Sequence, residues 1–125
     1  MQLHQTYTAT ATVTTDKLAC NVGSGDLQVL ATPMMMALME HAAMQCVAAD
    51  LEPDQTTVGG HIESSHLHPT GLGQTFTATA ELTAIEGRKL TFSITASDAT
   101  GTIGEGTHLR FIVQRERFMS KVNQT

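Results

Sequence analysis

Three groups of side chains in this 125-residue chain have types and spacing suited to chemistry. The first is Glu40, a lone carboxylate in the apolar run Val29-Leu-Ala-Thr-Pro-Met-Met-Met-Ala-Leu-Met-Glu40-His41-Ala-Ala-Met44. Read as a helix, its neighbours three and four positions away are Met36, Ala37, Ala43 and Met44, none of which can pair with it. His41 is adjacent but projects about 100° away around the helix. A carboxylate taken out of water needs a partner, or its charged form is penalised. The plainer reading is a Glu facing solvent on a half-exposed helix.

The second group is the start of the same run, Ala31-Thr32-Pro33. It offers a hydroxyl, free backbone N–H groups and a positive dipole end, which together suit a carbonyl oxygen or a phosphate. A simple helix cap has the same composition. The third is Val58-Gly59-Gly60-His61-Ile62-Glu63-Ser64-Ser65-His66-Leu67-His68-Pro69. An imidazole titrating near pH ~6.5 beside a carboxylate makes a general acid/base pair. A two-residue period places His66 and His68 on one strand face and His61 and Glu63 on the other. For any one of these histidines taken alone, a hydrogen bond to Ser64 or Ser65 is the better account. Two same-face histidines lack the further ligands that a metal normally takes, so no metal is expected. Gly59 and Gly60 permit close approach by a ligand, or a bulge. Cations at Arg88 and Lys89, and at Arg115, Arg117 and Lys121, could receive phosphates or simply be solvated.

The elements that must carry these groups follow from periodicity. Residues 6–15 alternate β-branched with small or apolar side chains and read as a strand. The pattern from 31 to 51 is apolar all round, the mark of a helix enclosed by its surroundings. Thr32 suits its N-cap and Pro33 its first turn. Four strands are expected after it, at 56–68, 74–85, 88–97 and 102–114, with Gly-containing turns joining the last three into antiparallel pairs. Gly104-Glu105-Gly106 reads as a bulge or bend. One strand, one long helix and a four-strand meander is an α+β pattern, and the helix is enclosed only if the sheet curls around it.

The length suits one domain, residues 1–125. A net charge of −5 argues against general nucleic-acid binding. No run of eighteen apolar residues predicts a membrane span, and the first residues lack the regions of a signal peptide. Cys20 and Cys46 are too few for a disulfide framework and read as free thiols in a reducing cytoplasm.

The segments 31–40 (ATPMMMALME), 58–66 (VGGHIESSH), 86–92 (EGRKLTF) and 103–110 (IGEGTHLR) resemble the fluoroacetyl-CoA thioesterase group of the hotdog fold. The similarity runs from about residue 29 to 122. It implies a long helix wrapped by a curved antiparallel sheet of about five strands. It implies hydrolysis of a short acyl-CoA thioester by a Thr, a Glu and a His, matched here by Thr32, Glu40 and His66, with assistance from the amide of Gly59. Gly60, Arg88 and Lys89 are expected substrate contacts, and no cofactor beyond the CoA thioester is implied. Residues 18–31 contain no aromatic residue and look shorter than the aromatic-containing lid of the fluoroacetyl-specific enzyme. His68-Pro69 replaces the small residues that usually follow the His of that group. A hotdog hydratase or dehydratase fits less well because its Asp/His motif is not evident. A non-catalytic acyl-CoA or small-ligand binding module is the other alternative. Eight helical residues, roughly 12 Å of rise, separate Thr32 from Glu40. Either the Thr32 segment folds back before the helix or one site takes residues from two chains; the resemblance to hotdog proteins, which build sites at a homodimer interface, implies at least a dimer.

Overall fold

The structure, a computed structural model, describes residues 1–124. Its first strand, β1 (Thr6–Thr12), leads through a 3-10 turn (Thr15–Lys17) and a one-turn helix, α1 (Ala19–Val22), to the long helix α2 (Thr32–Ala48). Four strands follow: β2 (Gln55–Ser64), β3 (Thr75–Glu86), β4 (Lys89–Asp98) and β5 (Gly101–Gln114). A last helix, α3 (Arg115–Val122), ends the chain. All pairings are antiparallel and the sheet order is β1-β3-β4-β5-β2.

Period-two patterning puts the inner face of the sheet together. On β3 the buried residues are Phe76, Ala78, Ala80 and Leu82, alternating with threonines and a glutamate; on β4 they are Leu90, Phe92, Ile94 and Ala96. Helix α2 lays Met35, Met39, Ala42, Ala43 and Val47 onto that face, a stripe of helical spacing. It packs mainly against β1 and β3, whose Ala9, Ala78 and Ala80 let the backbones approach closely. The α+β expectation of one long helix against a five-strand sheet therefore holds.

Several details differ from the sequence reading. The four later strands are not one meander: β2 pairs with β5, at the far edge of the sheet, and β3 pairs with β1 instead. This leaves the outer edge of β2 without a neighbour among the described residues. Strand β2 ends at Ser64, so His66 and His68 lie beyond it and strand alternation does not relate them. Helix α2 runs over 32–48 rather than 31–51, and it is not enclosed on all sides. Ala37 and His41 are exposed, and Met34, Met36, Leu38 and Met44 are half-buried. One chain covers only one face of an apolar helix. The short helix α1 and the C-terminal α3 were not anticipated, because neither carries a long apolar repeat.

Glycines shape the path beyond β2. Residues 65–67 run antiparallel to β5, with Ser65 N–H donating to the Glu105 carbonyl at 3.0 Å and Leu67 N–H to the Ile103 carbonyl at 2.6 Å. A Cβ on Gly106 would lie 1.8 Å from the Glu63 carbonyl oxygen, and one on Gly104 would lie 2.5 Å from that of Ser65. Gly106→Ala therefore forces backbone apart rather than bending a flexible side chain. We expect it to lower unfolding stability by about 1–3 kcal/mol, as overpacking commonly does, in a urea titration. An unchanged midpoint would show that the crossing tolerates a methyl group.

Candidate active site

The start of α2 is clamped by backbone hydrogen bonds. Leu30 N–H donates to the Thr70 carbonyl and Ala31 N–H to the Lys17 carbonyl, both at 2.8 Å. Ala31, not Thr32, occupies the N-cap position, with no side-chain cap, and Thr32 is the first helical residue. The Thr32 hydroxyl thus has no capping duty, and it lies 2.7 Å from His66 Nδ1. Burial lowers the pKa of His66 below that of an ordinary imidazole, which favours the neutral ring. Its Nε2 is buried without a hydrogen-bond partner among the described residues. If Thr32 accepts from Nδ1–H, Nε2 presents a lone pair; if Thr32 donates, Nε2 carries a proton. Either way one end of the ring is held and the other is available. Thr32 and His66 line a cavity of about 260 Å3 with Ala19, Val29, Leu30 and Leu67.

Glu40 lies further along the same helix, about 12 Å of rise from Thr32, so the Thr32 segment does not fold back. Its side chain is 44% exposed, and its partner is Arg110, whose Nη1 is 3.9 Å from Glu40 Oε2. The hydrogen bonds and ion pairs of the described residues join Glu40 to neither Thr32 nor His66. Arg110 is buried and well held: Nε donates to Thr57 Oγ1 at 2.8 Å, Nη2 to the Thr57 carbonyl at 2.9 Å, and Nη1 to His108 Nε2 at 3.2 Å. His108 Nδ1 in turn lies 2.7 Å from the His61 carbonyl oxygen. The ladder between β2 and β5 shifts register between Gly59 and His61, which makes Gly60 the bulge residue. A Cβ on Gly59 would come within 3.2 Å of Glu40 Oε2 and 3.4 Å of His108 Cε1, so any side chain there would have to push these two groups aside by a few tenths of an ångström.

The residues singled out by sequence thus fall into two clusters, Thr32 with His66 and Glu40 with Gly59. Gly60 faces the other way, where a Cβ would lie 2.3 Å from the Phe111 ring, so its small size serves packing. Arg88, in the turn between β3 and β4, lines a groove of about 320 Å3 with Val113, Arg117, Phe118 and Lys121, while Lys89 opens β4 opposite Phe111. His68 lines the same cavity as Thr32 and His66, but its Nδ1 is engaged 2.8 Å from the Pro69 carbonyl oxygen. No three His, Cys, Asp or Glu side chains among the described residues are grouped to hold a metal. No helix of the described residues is long and apolar enough to cross a membrane. Sequence reasoning missed Thr57, His108 and Arg110. A signal existed: His108 and Arg110 alternate in a strand whose next-but-one positions face inward.

Comparison with known proteins bears on these clusters. Residues 13–116 match the family model of the fluoroacetyl-CoA-specific thioesterase FlK. A fluoroacetyl-CoA thioesterase of Streptantibioticus cattleyicolor is 41% identical over 97 residues, 78% of this chain and 70% of that protein. A crystal structure of the fluoroacetyl-CoA thioesterase FlK superposes with a TM-score of 0.94 at 34% identity, covering 100% of this chain and 97% of that one. A variant of FlK in complex with acetyl-CoA gives 0.94 at 33% identity, over 99% and 98% of the two chains. A thioesterase superfamily member from Thermus thermophilus shares the fold at 21% identity, with a TM-score of 0.90 over 98% of this chain and 91% of that one.

One buried imidazole, His108, and one half-buried imidazole, His66, make stability depend on pH. His66 and His108 both have pKa values lowered chiefly by burial, so below the unfolded value near ~6.5 the unfolded chain binds more protons. Their contribution is complete above that value and is lost as pH falls through the folded values. Denaturant titrations from pH 7 to pH 5 should show falling stability, less steeply in a His66→Gln variant. A flat profile would contradict the burial of both rings.

Proposed function

This chain belongs to the fluoroacetyl-CoA-specific thioesterase family, a group of hotdog enzymes, and we propose that it hydrolyses a short acyl-CoA thioester to the free acid and coenzyme A using Glu40, His66 and Thr32. The observation that carries this reading is the pair of half-sites. One is an ion-paired carboxylate set against a side-chain-free stretch of β2. The other is an imidazole anchored by Thr32 with its Nε2 buried and unpartnered.

The chemistry divides between them. Glu40 either deprotonates a water that attacks the thioester carbonyl carbon, or attacks that carbon itself to form a mixed anhydride that water then hydrolyses to release the acid and restore the carboxylate. His66 Nε2 handles the proton that must reach the departing thiolate of coenzyme A. Thr32 fixes the ring so that Nε2, and not Nδ1, faces the reaction. Gly59 lets the carbonyl oxygen lie against the backbone beside Glu40, where an amide donor of the oxyanion is typically worth ~3 kcal/mol in the transition state. Arg110 supplies the counter-ion that keeps Glu40 in place. Arg88 and Lys89 remain candidates for the phosphates at the far end of coenzyme A.

Two half-sites about 12 Å apart along one helix are united most simply by a second copy of the chain. The open edge of β2 supports this reading, because an unpaired strand edge is a ready template for another strand. Antiparallel pairing of two β2 strands would run the end of β2 that leads to the partner's His66 back along the first copy's β2, which carries Gly59 beside Glu40. It also covers part of the apolar face of α2 that one chain leaves open.

A thiol-release assay over a panel of acyl-CoAs tests the reaction and the sharing together. Glu40→Gln and His66→Ala should each lower kcat at least about a hundredfold, as loss of a working acid/base group commonly does. Equal mixtures of the two inactive variants, unfolded and reassembled, should recover about a quarter of wild-type activity, because half the dimers are mixed and each holds one intact site. Recovery of nothing from two well-folded variants would place each site within one chain. Hydrolysis that survives both substitutions would overturn the residue assignment, and tight binding of acyl-CoA without turnover would make the protein a binding module.

A further inference from the structure

We propose that His108 is a positioning residue for Glu40: its Nε2 lone pair holds the Arg110 guanidinium in place, and Arg110 sets where the carboxylate sits. The inference deepens the thioesterase reading and rests on it.

The partners of the ring dictate its state. Arginine only donates hydrogen bonds, so the 3.2 Å contact from Arg110 Nη1 requires a lone pair at His108 Nε2. A carbonyl only accepts, so the 2.7 Å contact with the His61 carbonyl requires a proton at Nδ1. Only the neutral Nδ1–H tautomer satisfies both. An imidazolium would turn an N–H toward a guanidinium 3.2 Å away and lose the bond. The groups facing the ring are Arg110 on its own strand, Glu40 from α2 and His61 from β2, with the Phe92 ring of β4 at 6.3 Å. Burial holds its pKa below the ordinary imidazole value, Arg110 adds to that, and the His61 carbonyl opposes it.

Removal of this acceptor has a specific consequence. Thr57 accepts from Nε–H and from one of the two Nη2 N–H groups of Arg110, and His108 accepts from one of the two on Nη1. Without His108 both N–H groups of the buried Nη1 lack a hydrogen bond, and Glu40 Oε2, at 3.9 Å, is the carboxylate oxygen in reach of them. The carboxylate would then close onto Arg110 as a tight ion pair and withdraw its lone pairs from the thioester. His108 thus keeps Arg110 a near neighbour of Glu40 rather than a competitor for it. The meeting point is narrow, since a methyl group on Gly59 would touch both Glu40 Oε2 and His108 Cε1.

The test compares His108→Phe and His108→Gln with wild type and Glu40→Gln in the thiol-release assay. Loss of the acceptor in His108→Phe should lower kcat about 10- to 100-fold with KM little changed, whereas the Gln carbonyl, standing near the old Nε2, should restore kcat to within about threefold. The acid limb of kcat against pH should also become less steep in His108→Gln, because one ionisation is gone. A purely structural role ranks the variants the other way, because the Phe ring keeps the packing beside Phe92 and Gln does not. Wild-type kcat and pH profile in His108→Phe, or Gln no better than Phe, would overturn the inference. Should His108→Phe fail to fold, nitrogen-15 imidazole spectra of the wild type decide it: a proton on Nδ1 supports the inference and one on Nε2 overturns it. Hydrolysis abolished by Glu40→Gln but indifferent to His108 removes this inference alone. Hydrolysis indifferent to Glu40→Gln removes the site reading as well.

Discussion

A buried guanidinium must have its donors met, and that requirement organises the region around Arg110. The residue is 6% exposed, and desolvating a cation without partners would cost several kcal/mol. Thr57 meets it twice from β2 and His108 once from β5, so the charge also ties the edge strand to its neighbour. What remains of its field falls on Glu40, the one carboxylate that α2 directs toward it. The oddity of a carboxylate in an apolar helix is thereby resolved by a second oddity, a cation in an apolar sheet face. Each accounts for the other.

Geometry then separates the two ends of the chemistry. Helix α2 is straight enough to keep Thr32 and Glu40 more than two turns apart, and backbone bonds at Leu30 and Ala31 prevent the Thr32 segment from bending toward Glu40. His66 is carried to Thr32 by a chain path that only glycines at 104 and 106 allow, because the backbone of 63–65 passes within contact of where their Cβ atoms would be. Glycine at 59 leaves space at the opposite end, where a Cβ would crowd the side chains of Glu40 and His108. The site is thus made as much by missing side chains as by those present.

Much of the fold was legible because its signals are local. Alternation on β3 and β4 and the proline-opened apolar helix fix element types directly, and the boundaries differ by a few residues. The pairing of β2 with β5 was not legible, since nothing local tells an edge strand which partner it takes. The same limit hid the true partner of Glu40: the carboxylate was conspicuous as a residue without local company, but Arg110 lies 70 positions away. Thr32 was legible as a helix start, yet its part was misread as a cap, because the choice between backbone N–H and His66 depends on where a distant loop lands. His66, among several histidines, was singled out by resemblance and not by periodicity, and the structure explains why. It sits beyond the strand, where alternation has no meaning.

The most direct test of the account is a crystal structure with a non-hydrolysable acyl-CoA analogue in which the thioester sulfur is replaced by a methylene group. Two copies joined along β2 are expected, with the analogue's carbonyl carbon beside Glu40 and Gly59 and the partner's His66 facing the methylene. An acyl group seated away from Glu40, or one enclosed by Glu40 and His66 of a single chain, would contradict it.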